Sequence, residues 1–288
     1  MKPIKLFQVD RLVRKFYYTT EPACCQRSSN NSEPKFTDIQ AITIYQYGIN
    51  QGFKKKLDIY NFAAQHLLRY CKHLPTYKQF CVRVNKLAPA FELLTNFALQ
   101  SKVQTTKTHL LDSAPIVVAK GSRDTRAKTA SELCAKGYCA SKKMWYYGVK
   151  LHVLAEERPN TLPVPRHIML TKASEADINA GRVMLDFAED IVVFGDKGYV
   201  DAEWGYDLQL QWVQLHTPFK ERSKNQLPLD DGECAWNGMI SSRRQQIDTL
   251  FSQISALTDL QDAHIARSAN GLLSFIWSRF ALLAMFYW

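Results

Sequence analysis

The seven cysteines contain no C-x-x-C pair, and their number is odd. That argues against a structural zinc and against a disulfide framework, and it points to a reducing compartment. No low-complexity tract is present either. With 46% hydrophobic and 12% aromatic residues over 288 positions, the composition excludes a disordered chain. A chain of this length has room for about two domains. The first ten residues, MKPIKLFQVD, lack the continuous apolar stretch of a secretory signal, so a cytoplasmic protein is expected. Acidic residues are scarce in one region only. Residues 1–110 hold 17 Lys and Arg against 6 Asp and Glu, whereas residues 111–288 hold 20 against 21. The basic surplus is therefore N-terminal, and a surplus of that kind favours a polyanionic partner such as nucleic acid.

That region reads as helical. Thr37-Asp38-Ile39-Gln40 and Thr76-Tyr77-Lys78-Gln79 have the spacing of capping boxes and precede apolar residues at helical intervals. A further helix is expected over 57–70, and the triplet Lys54, Lys55 and Lys56 stands before it as a candidate DNA-binding group. Short helices joined by turns fit a helix-turn-helix-like domain over residues 1–103. At the other end, residues 271–288 are apolar but carry Arg279 in their middle, which fits a buried terminal helix better than a membrane anchor.

The texture changes after residue 103. Apolar runs over 110–118, 144–154, 166–171, 191–194 and 212–219 read as strands, with helices over 175–188, near Asp201 and from Ser241 or Ser242. A basic polar segment, 120–143, carries 7 Lys and Arg against two acids. Two of the strands contain a carboxylate where an ionised group is costly unless a cation or donors hold it. These are Asp112 in HLLDSAPIVV and Asp196 in IVVFGDKGY, and together they suggest a metal site. In the last helix, RRQQIDTLFSQI, positions 247, 250, 251 and 254 form an apolar face. Asp248 borders that face, and Arg244 lies one turn earlier on the same side, at the spacing of an i,i+4 ion pair.

Asp112, Asp196 and Asp248 lie on two strands and a late helix. The segment WYYGVKLH resembles an aromatic-Gly-x-Lys-x-His strand, and Arg243-Arg244 before Ile247-Asp248-Thr249 resembles an Arg-Arg-x-x-Ile-Glu-Thr pattern. In these features the chain resembles the DDE transposases of bacterial insertion sequences, with Asp at 248 where that family usually has Glu. The resemblance implies a ribonuclease H-like catalytic domain over residues 104–288, a mixed sheet flanked by helices, preceded by the all-helical basic domain. It further implies that Asp112, Asp196 and Asp248 are catalytic and hold two Mg²⁺ ions, or Mn²⁺, for phosphodiester hydrolysis and transesterification. Lys150, Lys197, Arg243 and Arg244 become candidate phosphate contacts. The implied partners are double-stranded DNA, as terminal inverted repeats and target, and further copies of the chain assembled on that DNA; no membrane partner is expected, and the location is the bacterial nucleoid. Two alternatives stay open: a decayed or domesticated copy that binds DNA without cutting it, and a nuclease of the same fold that does not join strands. His152 reads as a strand histidine with a hydrogen-bond partner rather than a metal ligand.

Overall fold

A computed structural model describes residues 4–20, 34–100, 104–159, 161–220 and 228–287. Cys24 and Cys25 and the boundary residue 103 lie outside these residues. The elements, in order, are α1 (Leu6–Thr20), α2 (Asp38–Asn50), α3 (Lys56–His66), α4 (Tyr77–Lys86), α5 (Ala88–Gln100), β1 (Thr108–Lys120), β2 (Ala135–Cys139), β3 (Met144–Glu156), β4 (Val164–Lys172), α6 (Asp177–Leu185), β5 (Val192–Phe194), α7 (Ala202–Leu210), β6 (Gln214–His216), α8 (Asp231–Thr258) and α9 (Ala269–Tyr287). They form two compact units. One comprises residues 1–102, 128–132 and 254–288, the other residues 103–127 and 133–253. Division by sequence at 103/104 assigns the C-terminal 35 residues to the catalytic part, whereas by spatial contact they belong with the N-terminal helices.

In the helical unit, both capping boxes form. The Thr37 and Thr76 hydroxyls accept the Gln40 and Gln79 amides, and each glutamine side chain accepts its cap residue's amide in return. α9 packs chiefly on α5, with further contacts to α2 and α4. It is long and apolar enough to cross a membrane, yet most of it is buried within this unit. Arg279, 1% exposed, explains how an apolar core helix tolerates a charge. Its guanidinium lies 3.4 Å from the Phe275 ring centroid and donates to the carbonyls of Phe275 (3.1 Å) and Lys54 (3.3 Å). Among the described connections, α2–α3 spans residues 51–55, α3–α4 residues 67–76 and α4–α5 Leu87 alone. None has the three- or four-residue turn of a helix-turn-helix pair.

The second unit is built on a mixed sheet in the order β2-β3-β1-β5-β6. β1, β2 and β4 all pair antiparallel with β3, and β5 lies parallel to β1 and to β6. β2 was not expected. It arises inside the basic segment from Ala-Lys-Gly-Tyr-Cys, which has no apolar run to announce it. β2 and β4 share one edge of β3, along 144–148 and 149–156 respectively. Gly148 sits between β1 and β2, where a Cβ would lie 2.1 Å from the Ile116 carbonyl oxygen, so only glycine permits this approach of the strands. Leu111, Leu154, Met184, Leu185, Val193, Tyr199 and Trp204 form the core between the sheet and α6–α7. α8 begins at Asp231, ten residues before the expected start. Asp230 and Glu233 cap it reciprocally, at 2.7 and 3.0 Å. Ile240, Ile247 and Leu250 are buried along it.

One property of the sheet positions the site. β5 pairs with β1 only from Thr108 to Leu110, so from Leu111 onward β1 overhangs its parallel neighbour with a strand partner on the β3 side alone. Asp112 stands at the start of this overhang and Asp196 just past the end of β5. The point where the parallel β1–β5 pairing ends thus brings both to one side of the sheet.

Candidate active site

Asp112 is 7% exposed, and its two oxygens have different partners. Oδ1 accepts the Ser113 amide at 2.7 Å, and Oδ2 accepts Arg244 Nη2 at 3.0 Å. Asp196 caps the short 3₁₀ turn Lys197–Tyr199. Its Oδ1 accepts both the Lys197 amide at 2.7 Å and Arg244 Nη1 at 3.1 Å. A single guanidinium from α8 therefore bridges the carboxylates of β1 and β5. The sequence spacing paired Arg244 with Asp248 instead. The structure places it on Asp112 and Asp196, and the desolvated Asp112 carboxylate gains more from a cation than the solvated Asp248 does.

The electrostatics follow from burial. Desolvation raises the Asp112 carboxyl from 3.8 to about 6, against the pull of Arg244 and the Ser113 amide and assisted by the charge of Asp196. Arg244 is itself desolvated, which disfavours its charge, yet Asp112, Asp196 and to a lesser extent Asp248 hold its pKa above the ordinary value. Asp248 is exposed on α8, one turn beyond Arg244, and its charge adds to those that raise the Arg244 pKa.

Two carboxylates sharing one cation fit a divalent ion in charge and donor chemistry, since hard cations take carboxylate oxygens. Among the described residues, however, no three His, Cys, Asp or Glu side chains gather as a metal cage. The structure thus brings together two of the three expected acids and leaves Asp248 outside.

Beneath the acid pair, on the other face of the sheet, lies a second polar cluster. Ser113 follows Asp112 and points to the opposite face of the sheet. Its hydroxyl donates to Asp177 Oδ1 at 3.0 Å. Lys150 bridges Asp177 (3.0 Å) and the Glu175 carbonyl (2.8 Å). His152 Nε2 lies 2.8 Å from Thr171 Oγ1, and Nδ1 faces Asp177 at 3.9 Å. Burial lowers His152 to about 4, which keeps it neutral, in line with a hydrogen-bonded strand histidine. Tyr199, 1% exposed, has a buried hydroxyl with no partner and feels the charges of Asp177, Asp112 and Asp196. In the sequence, strand alternation places Lys150 and His152 on one face of β3, whereas nothing local ties Ser113 or Asp177 to them.

The expected phosphate contacts divide sharply. Lys150 is held inside the second cluster and does not face outward. Arg243 pairs with Glu157 at 2.5 Å and stacks 4.6 Å from the Phe194 ring centroid. Lys197 is partly exposed directly beside Asp196. In the helical unit, Lys54 pairs with Asp259 (2.7 Å) and Asp262 (3.0 Å). Lys56 lies against Asn85 and Ser274, its pKa lowered to about 8 by burial. Of the triplet, Lys55 alone is exposed with no ion pair among the described residues. A different surface of this unit carries lysines: a cleft of about 640 Å³ lined in part by Lys35, Lys72 and His73, and by Arg83, which pairs with Asp38.

The sequence matches the family described as transposase DDE domain over residues 102–267. No curated protein and no solved structure matches. The matched span includes Asp112, Asp196, Arg244 and Asp248.

Proposed function

The chain belongs to the transposase DDE-domain family, and from that premise we propose that it cleaves and joins DNA at the ends of an insertion sequence. Asp112 and Asp196 are the central carboxylates of this reading and Asp248 is the third. The observation that carries it is the convergence of a buried and a half-exposed carboxylate from two parallel strands on one cation. Mg²⁺, when bound, supplies activation of the attacking oxygen and stabilisation of the leaving one. The chain's own residues supply the rest. Asp112 and Asp196 would hold the ions, with the Ser113 and Lys197 amides fixing one oxygen of each carboxylate. Lys197, beside Asp196, and Arg244 place positive charge where the phosphodiester must lie. The Lys35–Lys72–His73 cleft of the helical unit is the favoured surface for the DNA backbone, because Lys54 and Lys56 are engaged internally. An assembly of several copies on DNA belongs to this reading, since two ends must be held together.

The test is Mg²⁺-dependent nicking and strand transfer on DNA carrying the element's ends. Asp112→Ala and Asp196→Ala should abolish both. Nicking without joining would make the protein a nuclease of the same fold. One observation favours a second reading, a decayed copy that binds DNA without cutting: Asp248 is a methylene shorter than the family's Glu and stays apart from the acid pair. Salt-sensitive DNA binding without any cutting would establish that reading. For the cleft, Lys35→Glu with Lys72→Glu should weaken DNA binding and shallow its salt dependence by about two phosphate contacts.

A further inference from the structure

We infer that Arg244 is the resident counter-ion of the Asp112–Asp196 pair, and that a divalent cation entering this pair must displace it. Arg244 is then a positioning residue for metal loading. The inference rests on reading this pair as the metal centre.

The argument is an account of oxygens. Asp112 Oδ1 and Asp196 Oδ1 each accept a backbone amide, at 2.7 Å in both cases. Asp112 Oδ2 has no backbone partner, and Arg244 occupies it at 3.0 Å; of the four oxygens Asp196 Oδ2 alone has no hydrogen-bond partner among the described residues, so an ion held by both carboxylates must take the Arg244 place on Asp112. The other Arg244 terminal nitrogen sits on Asp196 Oδ1. A divalent ion and a guanidinium on the same oxygen repel strongly in a desolvated setting. The two therefore exchange rather than coexist.

The Arg244 contacts also differ from those of a permanent structural pair. Glu156 is fully buried, with Arg166 on one oxygen and Thr105 and Thr106 on the other. Asp196, by contrast, has a side chain 44% exposed, which leaves a route from solvent to the pair. Arg244 Nε is buried with no hydrogen-bond partner. The guanidinium thus leaves one donor unspent in its present position, and such a group is costly to keep buried. Asp248, which contributes to the field on Arg244, lies one turn away to receive the released charge.

Mn²⁺ binding to the metal-free full chain, followed by calorimetry or by electron paramagnetic resonance, tests this without any turnover. Arg244→Met should bind Mn²⁺ roughly tenfold more tightly than wild type. Arg244→Lys should fall between them, since an ammonium cannot span two carboxylates as a planar fork does. It also serves as the folded reference if the methionine variant fails to fold. Asp112→Asn should remove binding in every background. Equal or weaker Mn²⁺ binding by both Arg244 variants, with Asp112→Asn still abolishing it, overturns the counter-ion role alone. Absence of Asp112-dependent Mn²⁺ binding in wild type and variants overturns the metal centre and this inference with it.

Discussion

The two faces of β1 at Asp112 and Ser113 carry polar groups of similar composition in opposite states. On the Ser113 face, Asp177 receives Ser113 and Lys150, and His152 meets Thr171, so that the cluster's acid is paired by its own neighbours beside α6. On the Asp112 face, the two carboxylates share one arginine, and one of them is nearly half exposed. Polar groups paired with a cation and donors of their own cluster fix geometry. An open set leaves charge available for exchange, and only such a set can take part in chemistry.

Asp112→Asn tests this contrast with the largest expected effect. Nicking in Mg²⁺ should fall by roughly a thousandfold or more, while urea denaturation of the metal-free protein shows stability unchanged or raised. A large loss of stability would place Asp112 with the structural face. Asp177→Asn should do the reverse. It leaves Lys150 unpaired in a site where that side chain is 15% exposed, at a cost of about 2–4 kcal/mol. Activity should fall only as far as the folded population does, as judged by circular dichroism at the assay temperature.

The faces should also titrate in opposite directions. Asp112, raised from 3.8 to about 6, contributes stability below pH 4 that is lost as pH rises through 6. His152, lowered from 6.5 to about 4, contributes stability above pH 6.5 that is lost as pH falls through 4. Urea melts between pH 4 and 8 should therefore show the loss at rising pH flattened in Asp112→Asn and the acid loss flattened in His152→Gln. Both variants flattening the same limb would contradict the assignment. The smallest expected effect belongs to Lys150→Gln. It should leave the salt slope of DNA binding unchanged, and a slope shallower by about one would move Lys150 to the open face.

Much of this arrangement was legible in the sequence where the signal is local. The apolar runs around Asp112 and Asp196, the capping boxes at Thr37 and Thr76, and the buried stripe of Ile247 and Leu250 all depend on neighbours within a turn or a strand. What escaped depends on distant partners. Arg244 lies 48 residues from Asp196 and 132 from Asp112, so helical spacing could offer it only Asp248. Lys54 and Lys56 looked like a free basic triplet because Asp259, Asp262 and Ser274 lie more than 200 residues away. β2 has no apolar run, being held at the edge of β3 by its ladder. A helix start expected at Ser241 or Ser242 missed the ten residues of α8 before it, although Asp230 and Glu233 stand in the sequence at capping spacing.

The overhang of β1 past β5 has a consequence for solubility. A strand with one unpaired edge invites a foreign strand to extend the sheet, and edge-to-edge association of that kind leads to aggregation. Here two successive outward positions of the edge have no free amide hydrogen to offer. The Ser113 amide is already taken by the Asp112 carboxylate, and Pro115, two residues on, has no amide hydrogen to give. The residue proposed to hold a metal thus also guards the sheet against its own kind. Exchanging Pro115 for a β-branched residue would reopen that edge, and self-association would be its first sign.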